Sequence, residues 1–107
     1  MTLKQLTVLA KGVYRKLQIS ATPKLRKIKS PKNFNLHGYT YDNGHLYYIQ
    51  MTRKSGEPYT DRFLISVLCH EIAHRYAGAH NEVFRKHQRR ISRILRRLVK
   101  SAEEAKK

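Results

Sequence analysis

The sequence predicts an α+β domain: an N-terminal helix, a small mainly antiparallel sheet, then two more helices, the last strongly basic. Three observations lead there. Apolar residues recur every three or four positions near both ends and again after residue 60, the period of helices that bury one face. Between the first two such stretches, runs rich in Tyr, Leu and Ile surround an Asn-Gly pair, which suits strands joined by a tight turn. Finally, 107 residues with 40% hydrophobic content can close one modest core and are too apolar for a disordered tail, so residues 1 to 107 read as a single domain.

The elements follow in order. Leu3, Leu6, Val8, Leu9, Val13 and Leu17 give a helix over residues 2 to 18, with Lys4, Lys11, Arg15 and Lys16 mostly on its other faces. Ser20-Ala21-Thr22-Pro23 breaks it, and Leu25-Arg26-Lys27-Ile28-Lys29 is a short strand ended by Ser30-Pro31-Lys32-Asn33. Leu36 to Tyr41 and Leu46 to Thr52 form a hairpin about Asp42-Asn43-Gly44, and Ser55-Gly56-Glu57-Pro58 turns the chain onward. Thr60 or Asp61 caps a helix that runs to about Ala77, buries Leu64, Ile65, Leu68, Ile72 and Ala73, and stops at Gly78, a residue suited to a left-handed terminus. The last helix starts near Asn81 or Glu82 and carries the stripe Phe84, Ile91, Ile94, Leu95, Leu98 and Val99.

Composition excludes several classes. No apolar run approaches the ~20 residues of a membrane span. The first residues lack a signal peptide's apolar centre, and the single cysteine, Cys69, cannot build a disulfide framework; both fit a cytoplasmic, reducing setting. Lys and Arg number 23 against 7 Asp and Glu, a formal net charge of +16. The excess is uneven. Residues 1 to 41 hold nine cations and no acid, residues 85 to 100 hold eight more, and the segment from Asp42 to Glu82 holds five of the seven acids. Such a surface attracts polyanions. Arg85, Arg89, Arg90, Arg93, Arg96 and Arg97 lie around the last helix, where non-specific DNA or RNA contact is the first expectation and an anionic membrane surface the alternative.

The near-balanced centre carries the chemistry. His70-Glu71-Ile72-Ala73-His74 is an H-E-x-x-H motif. One helical turn places both histidines on one face, where they can share a metal ion, and Glu71, about 100° around the helix, stands beside that ion to hold and deprotonate a water. Imidazole ligands without a thiolate pair favour one Zn²⁺ with an open position. His80, beyond the Gly78 break, is the first choice of third ligand, and Glu82 is the alternative. Cys69 reads as core packing, His37 and His45 as surface residues of the hairpin, and His87 as solvent-facing. Tyr39, Tyr41, Tyr47 and Tyr48 either close the core or stack on bases.

Residues His70 to Phe84 resemble the active-site segment of zincin metallopeptidases with the pattern HExxHxxxxxH followed by xxxF. The WLM (Wss1-like) and YgjP-like families are the nearest types, the SprT-like (Spartan-like) family a looser one. The resemblance is specific over residues 63 to 84 and says little about residues 1 to 35. It implies His80 as third zinc ligand, Phe84 packed beneath the site, and hydrolysis of a protein or peptide substrate, with proteins near nucleic acid as the substrates that the WLM and SprT-like branches imply. It also implies that the strand ahead of the active helix pairs with substrate, which here points to Tyr48, Ile49, Gln50 and Met51. Tyr76 and Arg75 are neighbours that could assist the oxyanion. The competing reading is a basic nucleic-acid-binding module with a structural or inactive zinc site. The sequence leaves oligomeric state open.

Overall fold

The computed structural model describes residues 1–28, 38–40 and 45–105. Helix α1 spans Leu3–Lys16. Thr2 caps it: its hydroxyl accepts from the Gln5 amide at 3.1 Å while the Gln5 side chain accepts from the Thr2 amide at 2.8 Å, so two otherwise orphaned donors are satisfied. Leu6, Leu9, Ala10, Val13 and Tyr14 are buried. Val8, counted in the predicted stripe, is 62% exposed, because two residues along a helix from Leu6 is about 200° of rotation. The helix stops two residues early. Gln18 takes a left-handed φ of 59°, and the amides of Gln18 and Ile19 turn back to the carbonyls of Arg15 and Tyr14 at 3.2 and 2.9 Å.

Strands β1 (Lys24–Lys27), β2 (Gly38–Thr40) and β3 (Leu46–Ile49) form one sheet in the order β1-β3-β2. The expected antiparallel pairing holds for β2 and β3, with Tyr39 opposite Tyr48. The longer pair, β1 with β3, is parallel, with Leu25 opposite Tyr47, so the sheet is mixed and not mainly antiparallel. The reason lies in the order: the chain leaves β1, lays β2 on the far side of β3 and returns, which leaves β1 and β3 running the same way. Leu25, Tyr47 and Ile49 share the buried face. Lys24, Arg26 and Lys27 are exposed on the edge strand β1, where cations discourage pairing with another chain. The Asp42-Asn43-Gly44 turn, His37 and Tyr41 lie outside the described residues.

Past β3 the chain doubles back. Thr52 bridges Pro58, the Gly56 amide donates to Arg53 O at 2.9 Å, and Gly56 supplies the positive φ of 92° that this turn requires. Helix α2 (Asp61–Ala73) begins at Thr60, whose hydroxyl accepts from the Phe63 amide at 3.2 Å. Helix α3 (Glu82–Ala105) follows. Helix α1 packs on β1 and α3, and α2 packs on β2, β3 and α3. One apolar cluster joins all three helices to β1 and β3. Gly12 permits the α1–α3 approach, since a Cβ there would come 2.8 Å from a Leu98 methyl. No helix among the described residues is long and apolar enough to cross a membrane.

Candidate metal centre

Helix α2 ends four residues before the expected Ala77. His74 is its C-cap, and the amides of Arg75 and Tyr76 tighten onto Ile72 O and Ala73 O at 3.1 and 3.0 Å. Gly78 plays no left-handed part in this. The chain reverses through residues 75–81, and Asn81 restarts it: its side-chain oxygen accepts from the Phe84 amide at 3.1 Å, and its carbonyl takes the first α3 bond from Arg85 at 3.0 Å. A stack of Tyr76 on His87, centroids 4.3 Å apart and 13° from parallel, ties the reversal to α3. His87 is therefore half-buried and engaged, which the sequence did not indicate.

This reversal returns His80 to the α2 histidines. His74 Nε2 lies 3.0 Å from His70 Nε2 and 3.1 Å from His80 Nε2. The ligand atoms of all three lie within 4.8 Å of one another. Nitrogens bound tetrahedrally at ~2.0–2.1 Å would stand roughly 3.3 Å apart, so the cluster is close to the spacing one zinc needs. The chemistry of the donors agrees. His74 Nδ1 lies 3.3 Å from Ala77 O, a pure acceptor, which puts the proton on Nδ1 and leaves Nε2 a bare lone pair turned into the cluster. Burial, and then the neighbouring His74 and His80, push the His70 pKa below its ordinary value, which favours the neutral, ligating form.

Phe84, only 3% exposed, floors the cluster. Its ring centroid lies 5.0, 4.7 and 4.8 Å from those of His70, His74 and His80. Glu71 is buried beside His70 at 6% exposure, notable for a carboxylate. Glu82 does not enter the cluster; it is exposed and pairs with Arg85 and Arg89 at 3.5 and 3.6 Å. Cys69 packs in the core as expected, its Sγ 3.2 Å from Gln88 O, and burial pushes its thiol up to about 11.

The proposed substrate strand needs correction. β3 is the central strand, paired on both sides, so it offers no free edge to a peptide. Ile49, Gln50 and Met51 are buried, at 0%, 2% and 9% exposure, and Tyr48 is half-buried. Gln50 donates to Thr52 O at 3.1 Å, while its side-chain oxygen has no partner among the described residues. Edge character was invisible in the sequence because the strand that covers β3 lies some twenty residues upstream. Arg75 turns to a separate network. Its guanidinium lies 3.1 Å from His45 Nδ1 and over the Tyr14 ring, while Tyr14 Oη lies 3.3 Å from that same Nδ1 and 2.6 Å from Tyr47 Oη. His45 is thus half-buried and hydrogen-bonded, not a surface residue, and Tyr47 closes the core. The features missed by the sequence reading are the Ala77 carbonyl and this network, neither of which leaves a motif, whereas Asn81 starts α3 as its sequence position suggested. Arg85, Arg89, Arg90, Arg93, Arg96 and Arg97 are all exposed on α3.

No protein-family sequence model and no curated protein sequence matches the chain. Its fold does match solved structures. The crystal structure of Wss1 from Saccharomyces cerevisiae superposes with a TM-score of 0.72, covering 92% of this chain and 83% of that one at 13% identity. A Glu-to-Gln mutant of Wss1 from S. pombe gives a TM-score of 0.64, with 86% and 82% coverage at 18% identity. The chain therefore has the fold of these Wss1 structures, and the likeness extends far beyond the segment that carries the motif.

Proposed function

We propose that this protein is a zinc-dependent metallopeptidase, and that His70, His74 and His80 hold the metal while Glu71 acts as general base. The observation that carries the reading is the convergence of three Nε2 atoms beside a buried glutamate, on a fold shared with Wss1. When bound at such a site, zinc lowers the pKa of water towards ~7 and polarises a carbonyl. The remaining chemistry belongs to the chain. Glu71 takes a proton from the attacking water, the water oxygen bonds to the peptide carbonyl carbon, the C–N bond breaks, and Glu71 returns the proton to the leaving amine. Phe84 excludes solvent from beneath the ligands, and Ala77 O keeps the His74 ring turned inward.

The seat for an extended peptide is the edge of β2, not β3. Among the described residues β2 is an edge strand, runs antiparallel to β3 and lies against α2, so its outer side can take an added strand next to the metal helix. Recognition through main-chain bonds would tolerate many side chains, as suits an endopeptidase. The test is Glu71→Gln. It should keep one zinc per chain by metal analysis and lose on the order of 10²–10⁴ in cleavage rate of an unfolded protein. Undiminished cleavage in this variant would rule out the mechanism.

A second reading, nucleic-acid contact, is favoured by the exposed arginines. On the shoulder of α3 away from α2, Arg90 and Arg97 have no carboxylate partner among the described residues. They suit a phosphate backbone of DNA or RNA, and the affinity should then fall steeply as salt rises.

A further inference from the structure

The other side of α3 is built differently. Between α2 and α3 runs a groove of about 860 Å³. Its floor is apolar, formed by Ile65 and Cys69 from α2 and Leu95 and Val99 from α3. Leu95 and Cys69 are buried, whereas Ile65 and Val99 stay half-exposed to it. The rim is cationic: Arg62 on α2 faces Arg89, Arg93, Arg96 and Lys100 on α3, against two acids, Asp61 and Glu103. Asp61 is already paired with the chain's amino group at 2.7 Å. Among the described residues Arg93, Arg96 and Lys100 have no carboxylate partner. The groove therefore combines an apolar strip that water covers poorly with a cationic rim, on which only Arg89 has a carboxylate partner among the described cations.

We propose that this groove docks an acidic amphipathic helix of a protein partner. Three features select that occupant. The apolar floor argues against a nucleic acid backbone, which presents charge and sugar but no apolar stripe to bury. The cationic rim calls for Asp and Glu beside the stripe and excludes a second copy of this chain, whose own exposed helix is basic. The lining recurs at helical spacing on both walls, from Gln88 to Glu103 on α3, and at 1.5 Å per residue this is roughly 22 Å, the length of a helix of about 15 residues. Such a helix lays its apolar face on Ile65 and Val99 and its carboxylates along Arg89 and Arg96. The groove's lining includes none of His70, Glu71, His74 and His80, and the proposal does not depend on the metal reading.

The test is fluorescence anisotropy with a labelled peptide of about 15 residues, leucine on one helical face and glutamate on the other. Micromolar binding is expected, with gain of helicity by circular dichroism. The exposed double substitution R89E/R96E should weaken it by about tenfold or more, whereas R90E/R97E, the same charge change on the other shoulder, should alter it by less than about threefold. A peptide with serine for leucine and unchanged charge should bind at least about tenfold more weakly to the unsubstituted protein. Equal losses in the two double variants, or equal affinity for the serine peptide, would show diffuse charge attraction and overturn the proposal. So would no binding at about millimolar peptide. If a single-stranded oligonucleotide displaces the peptide and loses more affinity in R89E/R96E than in R90E/R97E, the groove is a phosphate track instead.

Discussion

Two histidine-bearing clusters stand about α2 and the reversal that follows it, and they differ in how their protons are shared. In the first, Arg75 can only donate, so His45 Nδ1 accepts; Tyr47 can donate to Tyr14, and Tyr14 to His45. Each of these contacts can pair a donor with an acceptor, the Arg75 and Tyr14 protons sharing the one lone pair of His45 Nδ1. In the second, His74 Nε2 is left a lone pair by the Ala77 carbonyl and faces two more imidazole nitrogens at 3.0 and 3.1 Å. A single cation placed among the three nitrogens would accept a lone pair from each. The first cluster ties α1, β3 and the chain after α2 together through side chains alone. The second gathers three imidazole nitrogens, from α2 and from the reversal after it, that one metal ion could bind together.

The comparison can be broken most severely at the metal. His80→Ala should abolish stoichiometric zinc binding, while Glu82→Ala, on the solvent side, should leave it intact; inductively coupled plasma analysis of purified protein reads both, and the reverse pattern would move the third ligand. Chelation should then separate the clusters by energy. At a zinc concentration a hundred times Kd the bound ion contributes about 2.7 kcal/mol, so a chelator should lower Tm in the original protein and leave it unchanged in His80→Ala.

The first cluster should fail differently. Tyr47→Phe removes one hydroxyl from a fully buried pair and should cost about 1–3 kcal/mol in denaturant unfolding, with zinc stoichiometry unaltered. If zinc were lost together with the hydroxyl, the two clusters would be one unit. The smallest effect concerns pH. Burial, and then the Arg75 charge, hold the His45 pKa below its ordinary 6.5, so the folded state prefers the neutral ring. That contribution is fully present above the unfolded value and is lost as pH falls through the lower folded value. His45→Gln should therefore flatten the fall in stability on the acid side of 6.5, measured by unfolding across pH.

The helices were legible because their signal is local. The spacing of Leu64, Leu68 and Ile72 marks the buried face of α2, and Thr60 supplies its cap. The pair His70 and His74 needed nothing beyond helical periodicity to be placed together. Val8 shows the limit even there, since an apolar residue one step off the stripe was counted with it. The sheet was less legible. A strand pattern states which side chains point inward and not which strand lies alongside, so the parallel β1 partner and the covered state of β3 were not foreseen.

By itself, then, the sequence determined the α+β order of elements, the two-histidine helix with its glutamate, and a basic last helix, all of them properties of residues within a few turns of one another. Tertiary structure decided the remainder. It brought His80 back to α2, set Phe84 beneath it, placed β3 in the middle of the sheet, closed the Arg75 network, and divided the arginines of α3 between a groove and an open shoulder. Each of these depends on which surfaces meet when distant segments pack. Apolar burial drives that packing without direction, and only the folded chain as a whole fixes the arrangement.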